Sequence, residues 1–252
     1  MSTMKSAGPA VQRAALWTGP GLLVVMGLGF VVLARYIPPP PPTLSPQELV
    51  DSLRANLFNF RLGMALTLVG AALLIPWGLG VAARVHAAEA GLPLLGYIQL
   101  GSLTAGSLAV QLGALMFEVC AYRLEDTDPQ IVRALHDVGW FFFLAPWPPF
   151  TVWCAALTVA IFTDRRKPAG LPRWCAYLCA WTALLFVPAC AIFWFKSGPL
   201  AWDGVIAFYI PFGILAVWIV GITVAALRSL GAETADETAG RGADETLIGS
   251  AK

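Results

Sequence analysis

The amino-acid sequence predicts an all-α fold, an integral membrane bundle of six transmembrane helices, and three observations carry that expectation. Hydrophobic residues make up 58% of the chain and charged residues only 12%, where soluble domains carry about 25% charge. Runs of about 20 apolar residues, enough to cross roughly 30 Å of hydrocarbon at 1.5 Å per residue, occur six times: Ala15–Ala34, Leu62–Ala83, Leu92–Phe117, Val138–Phe162, Trp174–Phe195 and Val205–Leu227. Most lack the two-residue alternation of a barrel strand, so each span must satisfy its own backbone as a helix.

Charge sets the expected orientation. One side of the six spans holds Lys5, Arg13, Arg84, Arg165, Arg166, Lys167, Arg173, Arg228, Arg241 and Lys252, while the other holds Arg35, Arg54, Arg61, Arg123, Arg133 and Lys196. Basic residues concentrate in cytoplasmic loops, which places the N-terminal segment 1–14 and the tail 229–252 in the cytoplasm. The net charge of +1 offers no field for nucleic acid. Of the five cysteines, Cys175 and Cys179 share a helix face; with no histidine beside them they read as small buried hydrophobes rather than a metal or redox pair.

The first span follows Lys5 and Arg13, like a signal peptide, but its apolar run exceeds the usual 7–15 residues and reads as an uncleaved anchor; cleavage after Val32-Leu-Ala34 would leave five spans. The outer segment 35–58 comes next. Pro38–Pro42 predicts a stiff polyproline rod of about 16 Å, a spacer or a partner's ligand. Ser45-Pro46-Gln47-Glu48 is a capping-box start, opening a short amphipathic helix to Phe58 that is expected to lie on the outer membrane surface. The second span carries Gly63, Thr67, Gly70 and Ala71 for close helix approach, with Pro76 toward its inner end. His86 and Glu89 belong to the inner loop that follows.

The third span is the most informative. Gly101, Ala105, Ala109 and Gly113 form a small-residue stripe, while Thr104, Ser107, Gln111 and Glu118 fall within about 60° of one another on the other side. Polar groups avoid hydrocarbon, so this helix is expected at the centre of the bundle. Its polar side chains either bond adjacent helices or line a site, and Glu118 either pairs with Arg123 or serves that site.

The polar loop 118–137 runs through Asp128, a cap, and Pro129, a helix start, into Trp140-Phe-Phe-Phe-Leu-Ala-Pro-Trp-Pro-Pro-Phe150. Prolines interrupt the last three spans, with Pro146, Pro188 and Pro211 each roughly 12 Å from the outer end by helix rise. Gln111 lies at a similar depth. Of the aromatics nearby, Trp140, Trp194 and Trp202 suit the interfacial belt, and Trp147 and Tyr209 suit a pocket. These coincidences predict an outer-leaflet cavity among kinked helices 4–6, lined by Ser107, Gln111, Trp147 and Tyr209, with Glu118 and Asp137 at its mouth to meet a cationic head group. After Arg228, the tail rich in Ala, Gly, Thr, Asp and Glu reads as acidic and disordered.

No nucleotide loop, HExxH or zinc-ligand cluster occurs; neither catalytic residues nor a cofactor nor a metal is expected. Leu135-His-Asp-Val-Gly-Trp140, Pro148-Pro-Phe150, Leu171-Pro-Arg-Trp174 and Ser197-Gly-Pro-Leu-Ala-Trp-Asp-Gly204 resemble a group of uncharacterised actinobacterial polytopic membrane proteins over residues 45 to 228. The resemblance implies six spans and a bacterial membrane but no activity. Asparagines expected from that group are His136 and Asp203 here. The favoured reading is a non-enzymatic membrane protein that binds a small apolar or lipid-like molecule or serves as an accessory subunit, its partners being the bilayer and that ligand or subunit. An oligomeric small-molecule transporter is the alternative class, although no midplane charge or internal repeat supports it. A membrane enzyme ranks third.

Overall fold

A computed structural model describes residues 8–86, 94–166 and 170–250, including side chains except those of His86 and 236–250. Lys5, Glu89, Lys167 and Lys252 lie outside the described residues. Every regular element is helical: α1 (Pro9–Met26, prolonged by a π-helical stretch Gly27–Leu33), α2 (Pro46–Arg54), α3 (Leu57–Ala72), α4 (Leu74–His86), α5 (Leu94–Tyr122), α6 (Pro129–Leu144), α7 (Trp147–Thr163), α8 (Arg173–Phe186, prolonged by a 3-10 stretch Val187–Phe193) and, after a π turn at Val205–Tyr209, α9 (Ile210–Ser250). Six spans among the described residues are long and apolar enough to cross a membrane: α1 with its extension, α3–α4, α5, α6–α7, α8 with its extension, and α9 with the turn before it. The protein is a multi-pass membrane protein. Six crossings bring both described chain ends to one face, the Arg84 end; α2 and the loops around residues 34–45, 123–128 and 194–204 form the cap at the other.

Helix α5 is central, as its polar face predicts, and packs against α3, α4, α6 and α7. The small-residue stripe does not act as one interface. Gly113 abuts the α6 backbone at Gly139 and Phe143, and Gly106 meets the ring of Phe150, but the space around Gly101 is open and Ala105 is exposed. The tightest approach lies elsewhere, where α1's π stretch crosses α3. A Cβ added at Gly29 would run into the carbonyl of Gly63, and one at Gly63 into the carbonyl of Gly29, so glycine at both positions lets the two backbones touch.

Prolines interrupt spans without bending them far. Pro146 and Ala145 separate α6 from α7, Pro188 sits in the 3-10 stretch and Pro211 is the second residue after the π turn. Each removes a donor to the carbonyl four residues back, and the local change of helical pitch absorbs the mismatch. Pro76 acts likewise on the second span, which breaks at Leu73. Hydroxyls from neighbouring helices cover that break: Ser107 Oγ donates to the carbonyl of Ala71 at 2.8 Å, and Thr18 Oγ1, bonded to the carbonyl of Ala15 at 2.7 Å, lies 3.1 Å from that of Leu73. In hydrocarbon no water would do so.

The interior divides into two clusters. Toward the Arg84 end, Trp77, Trp153 and Trp218 meet edge to face with centroids 4.8–5.5 Å apart; Trp77 donates to Thr223 at 2.8 Å and Trp218 to Cys179 Sγ at 3.2 Å. Under the cap lies an aromatic cluster that includes Phe30, Tyr36, Phe117, Trp140, Trp202 and Phe208.

Two expectations for the cap need correction. The capping box of α2 is present, with Ser45 and Glu48 bonded reciprocally at 3.3 and 2.8 Å, and these bonds hold Glu48 below the usual carboxylate range. The helix stops at Arg54, however, and its apolar stripe faces the protein. Leu49, Val50 and Leu53 are buried in the aromatic cluster, against α6 and α3, because that cluster offers the stripe a drier surface than lipid head groups. Nor do the prolines form a free spacer. Pro39 and Pro42 are buried, and the carbonyl of Pro40 accepts from Trp202 Nε1 at 2.8 Å. Proline suits this strap because it covers apolar rings without bringing N–H groups that need partners.

At the other end, α9 continues past Arg228 to Ser250, whereas composition reads 229–252 as a disordered tail. Alanine and glutamate are strong helix formers and no proline follows Pro211, which offsets the helix-weakening Gly231, Gly240, Gly242 and Gly249.

Candidate functional site

The cavity nearest the predicted site is a crevice of about 80 Å³ to which all six spans contribute. Its wall is apolar throughout. Leu22 and Met26 come from the first span, Ala71 and Leu74 flank the break in the second, and Val110 comes from the third. Pro146, Trp147 and Phe150 belong to the α6–α7 interruption, Ala189 to the 3-10 stretch, and Pro211, Phe212 and Leu215 to α9. The irregular backbone explains the space: where a helix changes pitch at a proline, its side chains lose the spacing that close packing requires.

The predicted site residues are distributed differently from the expectation. Trp147, Pro146 and Pro211 line the crevice, and Pro188 is adjacent to the lining residue Ala189. Ser107 lies behind the wall, fully buried, donating to Ala71 and accepting from Gln111 Nε2 at 3.1 Å. On the polar face of α5, Ser107 thus bonds the broken second span, whereas Thr104 bonds the carbonyl of Leu100 in its own helix at 2.8 Å. Tyr209 is 39% exposed on the bundle surface, and Phe212, one turn later, occupies the position foreseen for it. Glu118 approaches Arg61 of α3 at 3.6 Å, not Arg123. Asp137 borders a separate polar groove at the cap end, with Pro46, Gln130, Arg133 and Ala134.

Trp140 and Trp202 are not belt residues, being buried to 0% and 6% exposure, while Trp194 at 73% fits the interface. Trp140 is sandwiched between Tyr36 and Trp202, with centroid distances of 5.7 and 5.9 Å and near-parallel planes. Beside it the hydroxyl of Tyr36 and Nε2 of His136 share a hydrogen bond at 2.9 Å, both side chains buried. Burial raises the Tyr36 phenol well above its ordinary value, so it stays protonated. Among the described residues, Trp140 Nε1 is buried with no partner. This pair escaped the sequence reading, although a tyrosine just before a proline run and a histidine one turn before a tryptophan were the available signals.

Arg54 adds a bidentate pair to Glu125 at 2.9 and 2.8 Å, tying α2 to the loop after α5. At the opposite end the buried guanidinium of Arg84 is paired with Glu233 on the continuation of α9 and bonded to Ser229 at 3.2 Å and Gln12 at 3.3 Å. Arg166 donates to the Arg84 carbonyl at 2.6 Å and to Asp164. Asp164 is raised by desolvation, but the bonds from Arg166 and the Gly170 amide outweigh this and hold it at about 2. These groups tie α1, α4, the loop after α7 and α9 to one another.

Compared with protein-family models, curated proteins and solved structures, the chain matches none.

Proposed function

We propose that this protein is a non-enzymatic binder of a slender apolar or lipid-like chain, held in the outer half of a bacterial inner membrane, either as its own activity or as an accessory subunit of a larger complex. The crevice carries the proposal. An apolar cavity stays dry, and about 80 Å³ is roughly half of the ~150 Å³ that admits a benzene ring. It suits a section of hydrocarbon chain better than a ring. The cluster Arg84, Arg165, Arg166, Arg173 and Arg228 supports cytoplasmic termini and an outward-facing cap, and reporter fusions after Arg228 would test this orientation. The resemblance to actinobacterial membrane proteins supports the bacterial setting.

Native mass spectrometry of the gently solubilised protein tests the binding itself. Wild type is expected to carry a lipid or other long-chain molecule, and Ala189→Phe or Leu215→Trp, which fill the crevice, to lose it while keeping a cooperative thermal transition. Equal retention by wild type and both variants would overturn the proposal.

A further inference from the structure

We infer that the crevice is the tail end of a track along α6 that binds a phospholipid with an aminoalkyl phosphate head group; this rests on the crevice reading above. Three cavities line up on that helix. A polar groove at the cap is formed by Pro46, Gln130, Arg133, Ala134 and Asp137. An apolar groove follows, formed by Val138, Phe141, Phe142, Ala145 and Pro146 with Ala109 of α5. The crevice comes last and shares Pro146 with that groove. Gln130, Arg133, Ala134, Asp137, Val138, Phe141, Phe142 and Ala145 recur at three- and four-residue steps, so both grooves lie on one face of α6. Pro146 ends that face, and the interruption between α6 and α7 joins the surface groove to the interior.

Length and charge identify the occupant. From Asp137 to Pro146 the helix rises about 13 Å, close to the ~15 Å of hydrocarbon in one bilayer leaflet, so a head group at the polar groove places an acyl chain along the apolar one. Arg133 is half-buried and, among the described residues, forms no hydrogen bond or ion pair. A guanidinium at a membrane surface with no carboxylate within 4 Å among the described residues keeps its fork open to phosphate, whose oxygens fit that planar fork. Asp137, also half-buried, has Arg133 and Lys196 within electrostatic reach but no ion pair within 4 Å among the described residues. Two cations and one carboxylate are complementary to a phosphate bearing a primary ammonium: the phosphate faces Arg133 and Lys196, and the ammonium donates to Asp137. A quaternary ammonium has no N–H to donate.

The test is competitive retention. Protein equilibrated with equal amounts of phosphatidylethanolamine, phosphatidylcholine and phosphatidylglycerol is analysed by native mass spectrometry, with thermal melts confirming that each variant is folded. Wild type is expected to retain phosphatidylethanolamine about 10-fold over phosphatidylcholine, a difference of about 1.4 kcal/mol. Asp137→Asn should erase that preference, Arg133→Gln should lower retention of all three lipids about 10-fold, and Ala189→Phe should lower all three. If Ala189→Phe strips lipid but the two head-group variants behave as wild type, the track is wrong and the crevice reading stands. If Ala189→Phe changes nothing, both fall. A phosphatidylglycerol preference that Asp137→Asn leaves intact would overturn the assignment of the ammonium.

Discussion

Replacing Tyr36 by Phe isolates one hydrogen bond in the driest part of the cap. The ring stays, and with it the stack on Trp140 at 5.7 Å and the edge contact with Phe117 at 5.4 Å, so little apolar packing is lost. What disappears is the 2.9 Å bond to His136 Nε2. The Phe117 ring, 5.3 Å from the imidazole, carries no polar atom to replace it, and a buried group stripped of its partner costs about 1–3 kcal/mol. At about 2–4 °C per kcal/mol for a chain of this size, Tyr36→Phe should lower the thermal midpoint in detergent by roughly 2–12 °C. The exposed Trp181→Phe serves as a control and should be neutral. The alkaline arm gives a second readout. Because the folded phenol is raised, its stabilisation is complete below the unfolded value of about 10 and is lost as pH rises toward the folded one. Wild type should therefore weaken above about pH 10 more steeply than Tyr36→Phe. An unchanged midpoint together with an unchanged alkaline slope would refute the claim that this bond holds the cap.

Two further outcomes follow from the geometry. Gly63→Leu should prevent folding or cost several times what Gly101→Leu costs in detergent melts, since the first meets the Gly29 backbone and the second meets open space; equal effects would contradict the close crossing of α1 and α3. Asp164→Asn should lower the midpoint at pH 7, because a carboxylate held at about 2 stabilises the fold above its unfolded value of about 3.9 and loses that contribution as pH falls toward 2. The gap between wild type and variant should close across that acid range, and a gap constant down to pH 2 would argue against the Arg166–Asp164 contact.

The spans were legible because twenty apolar residues have few alternatives in a membrane, and the capping box because its bonds are local to Ser45 and Glu48. The depth of Pro146 and Pro211 also located the crevice, since depth follows from counting along a helix. What counting could not supply was rotation about the helix axis relative to partners. Gln111 and Ser107 share a face, but only tertiary packing decides that this face meets the broken second span. Tyr209 and Phe212 are one turn apart, and the π turn before Pro211 shifts which of them points inward. The Tyr36–His136 pair, separated by a hundred residues in sequence, leaves no periodic trace at all.

The cap and the crevice are nevertheless one mechanical unit. Phe143 and Phe212 line the crevice and also stack on Phe30, at 4.9 and 6.3 Å, within the cap's aromatic cluster. Phe30 in turn meets Tyr36 edge to face at 5.5 Å. A chain that pushes Phe212 or Phe143 aside on entering must therefore disturb the rings that seat Tyr36, and through Trp140 and Trp202 the proline strap bonded at Pro40. Interiors packed at crystal-like density transmit such shifts instead of absorbing them. Under the binding reading proposed above, occupancy of the crevice would then be felt at the proline strap.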